Sequence, residues 1–110
     1  MYEYTGTVLK VVDADTVDIK VDLGFKISFV ERFRLYGIDA WETRGVERPK
    51  GLLAKEYLIK RLEEVENRVT ITTIKDKKGK YGRYLANLII GDEDLNAALV
   101  VNGHAEFKEY

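Results

Sequence analysis

From Tyr4 to Tyr36 the chain runs through three stretches of alternating apolar and polar residues, parted only by short turns. Tyr4 to Val12 alternates with Thr and Val prominent. Thr16 to Asp22 puts Val17, Ile19 and Val21 on one face, and Lys26 to Tyr36 is rich in β-branched and aromatic residues. A period of two predicts half-buried strands. Asp13-Ala14-Asp15 forms the first turn and Asp22-Leu23-Gly24-Phe25 the second, with Gly24 supplying a positive φ. Three strands joined this closely predict a curled meander.

The pattern then breaks. Thr43-Arg44-Gly45-Val46-Glu47-Arg48, within a stretch from Glu42 to Lys50, is polar and reads as an exposed loop. Pro49 suits a first helical turn. From there to about Glu66, the residues Leu52, Leu53, Tyr57, Leu58, Arg61, Leu62 and Val65 recur at three- and four-residue spacing and predict a helix with one buried stripe. Arg68 to Ile74 is a fourth strand, Asp76 to Gly82 a basic turn, and Arg83 to Ile90 a fifth strand. Asp92 or Asp94 caps a second helix that runs to about Asn102 and stops at Gly103. The expected fold is α+β, mainly β: a five-stranded OB-fold barrel with an inserted helix and a C-terminal helix. With 110 residues the chain makes one domain, residues 1–110.

Zero Cys excludes disulfides and thiolate metal sites. Lys and Arg number 18 against 19 Asp and Glu, so bulk charge opposes a DNA coat protein but leaves room for a local anion site. No apolar run approaches the roughly 18 residues that a transmembrane helix needs. The N-terminus shows no basic region followed by an apolar stretch. The expected location is therefore cytoplasmic if the chain is complete, and secreted if a leader has been removed.

Asp15 and Asp39 each sit at a strand end beside a turn, where carboxylates can converge on a hard cation. Either can instead cap turn amides. Glu42 lies three residues past Asp39, within reach of a metal-bound water as general base, or stands as a solvated loop carboxylate. Arg34, held between Phe33 and Leu35, presents a rigid fork to a phosphate or carboxylate; as a surface charge it would pair with Glu31. Arg83 opens the fifth strand, where it can also be an exposed turn cation. Lys75 to Arg83 carries five basic residues and one acid, with Tyr81 and Tyr84 placed to stack on bases or to serve as ordinary strand aromatics. His104 is the single His, and no Ser or Cys elbow accompanies it, which disfavours a triad and a His base.

Taken together, Val11-Val12-Asp13-Ala14-Asp15-Thr16, Phe33-Arg34-Leu35-Tyr36-Gly37-Ile38-Asp39-Ala40-Trp41-Glu42, Lys80-Tyr81-Gly82-Arg83 and Leu95-Asn96-Ala97-Ala98-Leu99-Val100 with Gly103 and Ala105 resemble the staphylococcal nuclease family. Four motifs in order cover nearly the whole chain. The resemblance implies a calcium-dependent nuclease that hydrolyses DNA and RNA, single strands preferred, as a monomer without a membrane partner. It implies Asp15, Asp39 and the Ala40 carbonyl as metal ligands and Glu42 as general base. It also implies Arg34 and Arg83 as phosphate-clamping arginines, with Lys80, Tyr81 and Leu85 lining a nucleotide pocket. In this family cleavage leaves a 3′-phosphate and a 5′-hydroxyl. The chain departs from the family at Ala14, where Gly is common, and at Trp41, where Pro is usual. It also ends at Tyr110 without a further C-terminal helix. If position 14 requires a positive φ, Ala costs about 1 kcal/mol there. The rival readings are a non-catalytic OB-fold module that binds nucleic acid or protein, and a purely structural domain.

Overall fold

The structure is a computed structural model. It describes residues 2–78 and 84–108, with the backbone alone described at 75–78. Strand β1 (Tyr2–Asp13) is followed by β2 (Thr16–Asp22), β3 (Ser28–Leu35) and a short β4 (Ile38–Ala40). A single 3-10 turn, Gly45–Glu47, leads into helix α1 (Arg48–Glu63). Then come β5 (Arg68–Lys78), β6 (Tyr84–Ile90), a two-residue β7 (Glu93–Asp94), α2 (Leu95–Val101) and β8 (Ala105–Phe107).

The meander closes on itself. Strands pair in the order β3-β2-β1-β5-β6, and a parallel pairing of β3 with β6 joins the two ends. The result is the expected five-stranded OB barrel, whose closure leaves little free sheet edge. Alternation sends Val17, Ile19 and Val21 of β2 inward to meet Phe33 and Leu35 of β3, Ile71 of β5 and Leu88 of β6. Leu58 and Leu62 of α1 and Leu95 and Leu99 of α2 seal this core from outside the sheet. Full burial of side chains this size stabilises by roughly 1.5–3 kcal/mol each. The pairing of β1 with β2 shifts register between Val8 and Lys10, and a bulge of this kind lets a strand bend around a barrel.

Several boundaries differ from expectation for local reasons. The β2–β3 turn is longer than predicted, because Phe25 (φ 54°) and Lys26 (φ 63°) join Gly24 (φ 82°) in the left-handed region. Strand β3 therefore begins at Ser28 rather than Lys26. Helix α1 stops at Glu63 rather than near Glu66, since Glu66 and Asn67 take φ values of 56° and 63°. Asp94, not Asp92, caps α2, accepting from the N–H groups of Asn96 and Ala97. The buried stripe of α1 is also a correction. It runs through Gly51, Ala54, Leu58 and Leu62, while Leu52 and Leu53 are exposed. At Gly51 the first turn of α1 lies too close to the chain at Glu42 for a side chain to face inward.

Candidate active site

Cross-strand register brings the first part of the site together. Arg34 pairs with Thr16 of β2 on one side and with Leu85 of β6 on the other. Partners in register project from the same face of a sheet. Phe33 and Leu35 point into the barrel, so Arg34, Thr16 and Leu85 project outward together. All three are nonetheless buried, at 8%, 4% and 1% exposure.

The Arg34 guanidinium meets two carboxylates. Its Nη1 stands 3.0 Å from Asp15 Oδ2 and its Nη2 3.0 Å from Asp39 Oδ1. Nη1 also lies 3.4 Å from the Asp15 carbonyl oxygen. Asp15 is at the turn between β1 and β2, whereas Asp39 is the centre of β4. That short strand pairs with β8, Asp39 opposite Glu106 and Ala40 opposite Ala105. The Asp15 carboxylate is 11% exposed, and burial of an ion is tolerated only when its oxygens are satisfied. Three donors satisfy it: the Thr16 hydroxyl at 3.0 Å, the Ala40 N–H at 2.8 Å and Arg34. Asp39 is different, with a side chain 57% exposed.

The surface alternative for Arg34, a pair with Glu31, is not what forms. Two residues back on the same strand, Arg32 donates from Nε to Asp18 Oδ1 at 2.7 Å. That hydrogen bond holds the Asp18 carboxyl below the usual range. Ala40 contributes to the site through its N–H, given to Asp15. At Ala14 the expected cost does not arise: it is not among the non-glycine residues with positive φ, and its methyl is fully buried.

Glu42 follows β4 and is exposed. Its backbone is fixed from two sides. Its N–H donates to Glu47 Oε1 at 3.2 Å, and its carbonyl oxygen lies where a Cβ on Gly51 would approach to 1.8 Å. Next to it, the Thr43 hydroxyl donates to Asp13 Oδ1 at 2.6 Å, tying this segment to the turn that carries Asp15. The three carboxylates do not gather into one cluster: among the described residues no group of three or more His, Cys, Asp or Glu side chains is arranged to hold a metal. What converges is Asp15, Asp39 and Arg34.

Lys80, Tyr81, Arg83 and Tyr110 lie outside the described residues. Leu85 is on the Arg34 face, as its register requires. Trp41 does not reach toward the carboxylates. Its indole Nε1 donates to the Gly103 carbonyl at 3.0 Å, and Lys50 Nζ sits 4.9 Å from the ring centroid. His104 packs against Tyr57 with ring centroids 4.6 Å apart, and burial pushes its imidazole pKa down.

Sequence reasoning missed Thr16, Gly51 and Asn96. Asn96 is 3% exposed; its Oδ1 accepts from Leu88 N–H at 3.2 Å, and its Nδ2 faces Tyr36 O, Ala86 O and Asn87 Oδ1 at 3.0–3.1 Å. It pins α2 to β6 and to the end of β3. A Gly two residues after Pro49, inside a helical pattern, was the available signal for a close backbone approach.

In charge the cluster is two carboxylates against one guanidinium, which leaves one net negative charge at a partly open site. Oxygen donors of this kind suit a hard divalent cation such as calcium, so the residues fit such an ion. Arg34 carries five N–H donors, more than its two carboxylate partners consume, and the surplus suits a phosphate oxygen.

Comparison with known proteins finds relatives along most of the chain. The family described as staphylococcal nuclease homologue matches residues 32–110. A thermonuclease of Staphylococcus intermedius is 36% identical over 106 residues, covering 94% of this chain and 59% of the relative. A thermonuclease of Staphylococcus hyicus is 30% identical over 111 residues, covering 98% of this chain and 62% of the relative. The chain thus spans about three fifths of the length of the curated relatives it matches.

Proposed function

The chain belongs to the staphylococcal nuclease family, and we propose that it is a calcium-dependent nuclease that hydrolyses phosphodiester bonds of DNA and RNA, single strands in preference, as a monomer. The observation that carries this reading is one buried guanidinium held 3.0 Å from each of two carboxylates, one on the β1–β2 turn and one on β4. No helix among the described residues is long and apolar enough to cross a membrane.

Calcium would be held by Asp15, Asp39 and the Ala40 carbonyl, and when bound it supplies positive charge against the phosphate oxygens. The remaining steps belong to the chain's own side chains. Arg34, held rigid by its two carboxylates, offers its spare N–H donors to a non-bridging phosphate oxygen, and Arg83 offers a second fork. Both hydrogen-bond more strongly as negative charge grows on the equatorial oxygens. Glu42 takes a proton from the attacking water. The water oxygen forms the new bond to phosphorus while the bond to the 5′-oxygen breaks. That oxygen takes a proton from solvent water as it leaves, giving the 5′-hydroxyl, and a 3′-phosphate remains. Lys80, Tyr81 and Leu85 hold the nucleotide.

The test is cleavage of single-stranded DNA and RNA by the purified chain with calcium, with magnesium and with chelator, beside Arg34→Ala and Glu42→Ala. The reading expects calcium-dependent cleavage that falls by roughly 10²–10³ in kcat when one transition-state contact is lost. Binding without turnover at any divalent metal would make the chain a binding module instead, and undiminished cleavage by Glu42→Ala would remove Glu42 from its role.

A further inference from the structure

The acidic turn carries one carboxylate that the mechanism above does not use. Asp13 ends β1, two residues before Asp15. Its Oδ1 accepts a hydrogen bond of 2.6 Å from the Thr43 hydroxyl, a partner 30 residues along the chain. Both residues are half-buried. A hydroxyl that donates to an ionised carboxylate stands about 2.5–2.7 Å away, and such a bond is roughly twice as strong as a neutral one.

Its place in the chain gives this bond its meaning. Thr43 follows Glu42 directly, and Ala40 stands two residues before Glu42. The Ala40 N–H donates to Asp15 Oδ2 at 2.8 Å. The chain on either side of Glu42 is therefore tied to the same turn, once through each of its two aspartates. The neighbouring contacts lead elsewhere. The Glu42 N–H donates to Glu47 Oε1 at 3.2 Å, and Arg48 Nη1 donates to the Thr43 carbonyl at 3.2 Å, both at the start of α1. Those bonds make Glu42 travel with the helix, whereas the bonds to Asp13 and Asp15 keep it in step with the barrel. Thr43 joins the two bodies, its carbonyl on the helix side and its hydroxyl on the barrel side.

A reacting group works only when the contacts behind it hold it within about 0.5 Å of its productive position. One anchor at Ala40 leaves the segment free to pivot, and a second anchor beyond Glu42 removes that freedom. We propose that Thr43 and Asp13 are positioning residues for the hydrolysis, their hydrogen bond fixing the base-bearing segment against the turn that carries Asp15. The proposal rests on the nuclease reading above and on the role of Glu42 within it. Neither side chain touches substrate or cation, so loss of the bond slows the chemical step and leaves ligand binding intact.

The test compares Thr43→Val, which swaps the hydroxyl for a methyl of like shape, with Thr43→Ser, which keeps the hydroxyl. Asp13→Ala reaches the same bond from the β1 side and serves if the valine disturbs folding. Cleavage of single-stranded DNA at saturating calcium gives kcat and KM. Calorimetry gives the affinity for thymidine 3′,5′-bisphosphate, with calcium and in chelator. Thr43→Val is expected to lower kcat by roughly 10- to 100-fold, the scale of a small misplacement. KM and bisphosphate affinity are expected to stay near wild type, the pattern of a lost transition-state contact. Thr43→Ser is expected to recover most of the rate. In urea unfolding of the metal-free chain, Thr43→Val and Asp13→Ala are expected to be non-additive, because they break one bond. Full kcat in Thr43→Val, equal losses in the serine and valine variants, or strict additivity overturns the positioning role and leaves the nuclease reading standing. A bisphosphate affinity that falls in proportion to kcat also overturns it, since the whole turn has then moved. A wild-type chain that cuts no nucleic acid overturns the nuclease reading itself.

Discussion

Arg34 Nη1 and Asp15 Oδ2 lie 3.0 Å apart, with each side chain only 10–11% exposed. An ion pair this deep is held by satisfaction of its hydrogen bonds more than by attraction, because both ions lost water to form it. Thr16 and Ala40 hold the carboxylate from its other directions.

Removing either ion strands the other. Arg34→Ala is expected to cost about 3–5 kcal/mol of stability, beyond any effect on turnover, since Asp15 keeps its charge with no guanidinium beside it. Urea unfolding of Arg34→Ala, Asp15→Asn and the double variant checks this. The double variant is expected to be more stable than the sum of the single losses implies, and strict additivity would mean that the pair is not coupled.

Gly51→Ala places a methyl 1.8 Å from the Glu42 carbonyl oxygen, so helix α1 or the Glu42–Thr43 segment must move. Overpacking of this kind costs roughly 1–3 kcal/mol, although Ala is the better helix former by about 1 kcal/mol. The expected outcome is a net loss in thermal midpoint together with a fall in kcat that exceeds any change in KM. A gain in stability with activity intact would contradict the contact.

Asn96→Leu removes an amide that satisfies groups on β6 and at Tyr36, just past the end of β3. Each buried polar group left without its partner costs about 1–3 kcal/mol. Chemical denaturation is expected to show a loss near the upper end of that range. A loss below about 1 kcal/mol would mean that the freed backbone groups find other partners.

Burial lowers the pKa of His104 in the folded chain, so the folded state resists its protonation. Its contribution to stability is present above the unfolded value of about 6.5 and is lost as pH falls through the folded value. The neighbouring Tyr57 hydroxyl is engaged by Arg61 at 3.1 Å, placing a cation near the same packing unit. Thermal midpoints measured between pH 8 and pH 5 are expected to fall more steeply for wild type than for His104→Phe. Parallel profiles would contradict the assignment.

Much of this was legible in the sequence, for identifiable reasons. Alternation marked the barrel strands, since one face of each is buried along its length. The acidic turn at Asp15 and the strand position of Arg34 were legible too. Their meeting was not, because it depends on Thr16 facing Arg34 across a ladder and on β4 pairing with β8. A three-residue strand is too short to display a period, yet β4 carries both Asp39 and Ala40. The buried face of α1 was misread for a related reason. Hydrophobic spacing weighs side-chain size, whereas Gly51 faces inward where the Glu42 backbone leaves no room for a side chain, and the small Ala54 is buried on the same face.

The most direct measurement is calorimetric titration of the chain with thymidine 3′,5′-bisphosphate, with and without calcium, in wild type and in Asp39→Ala. Asp39 is exposed enough for its variant to fold. If Asp15, Asp39 and Arg34 form a shared seat for cation and phosphate, calcium will tighten bisphosphate binding by roughly tenfold in wild type and by far less in the variant. Identical bisphosphate affinity with and without calcium in the wild-type chain would contradict it.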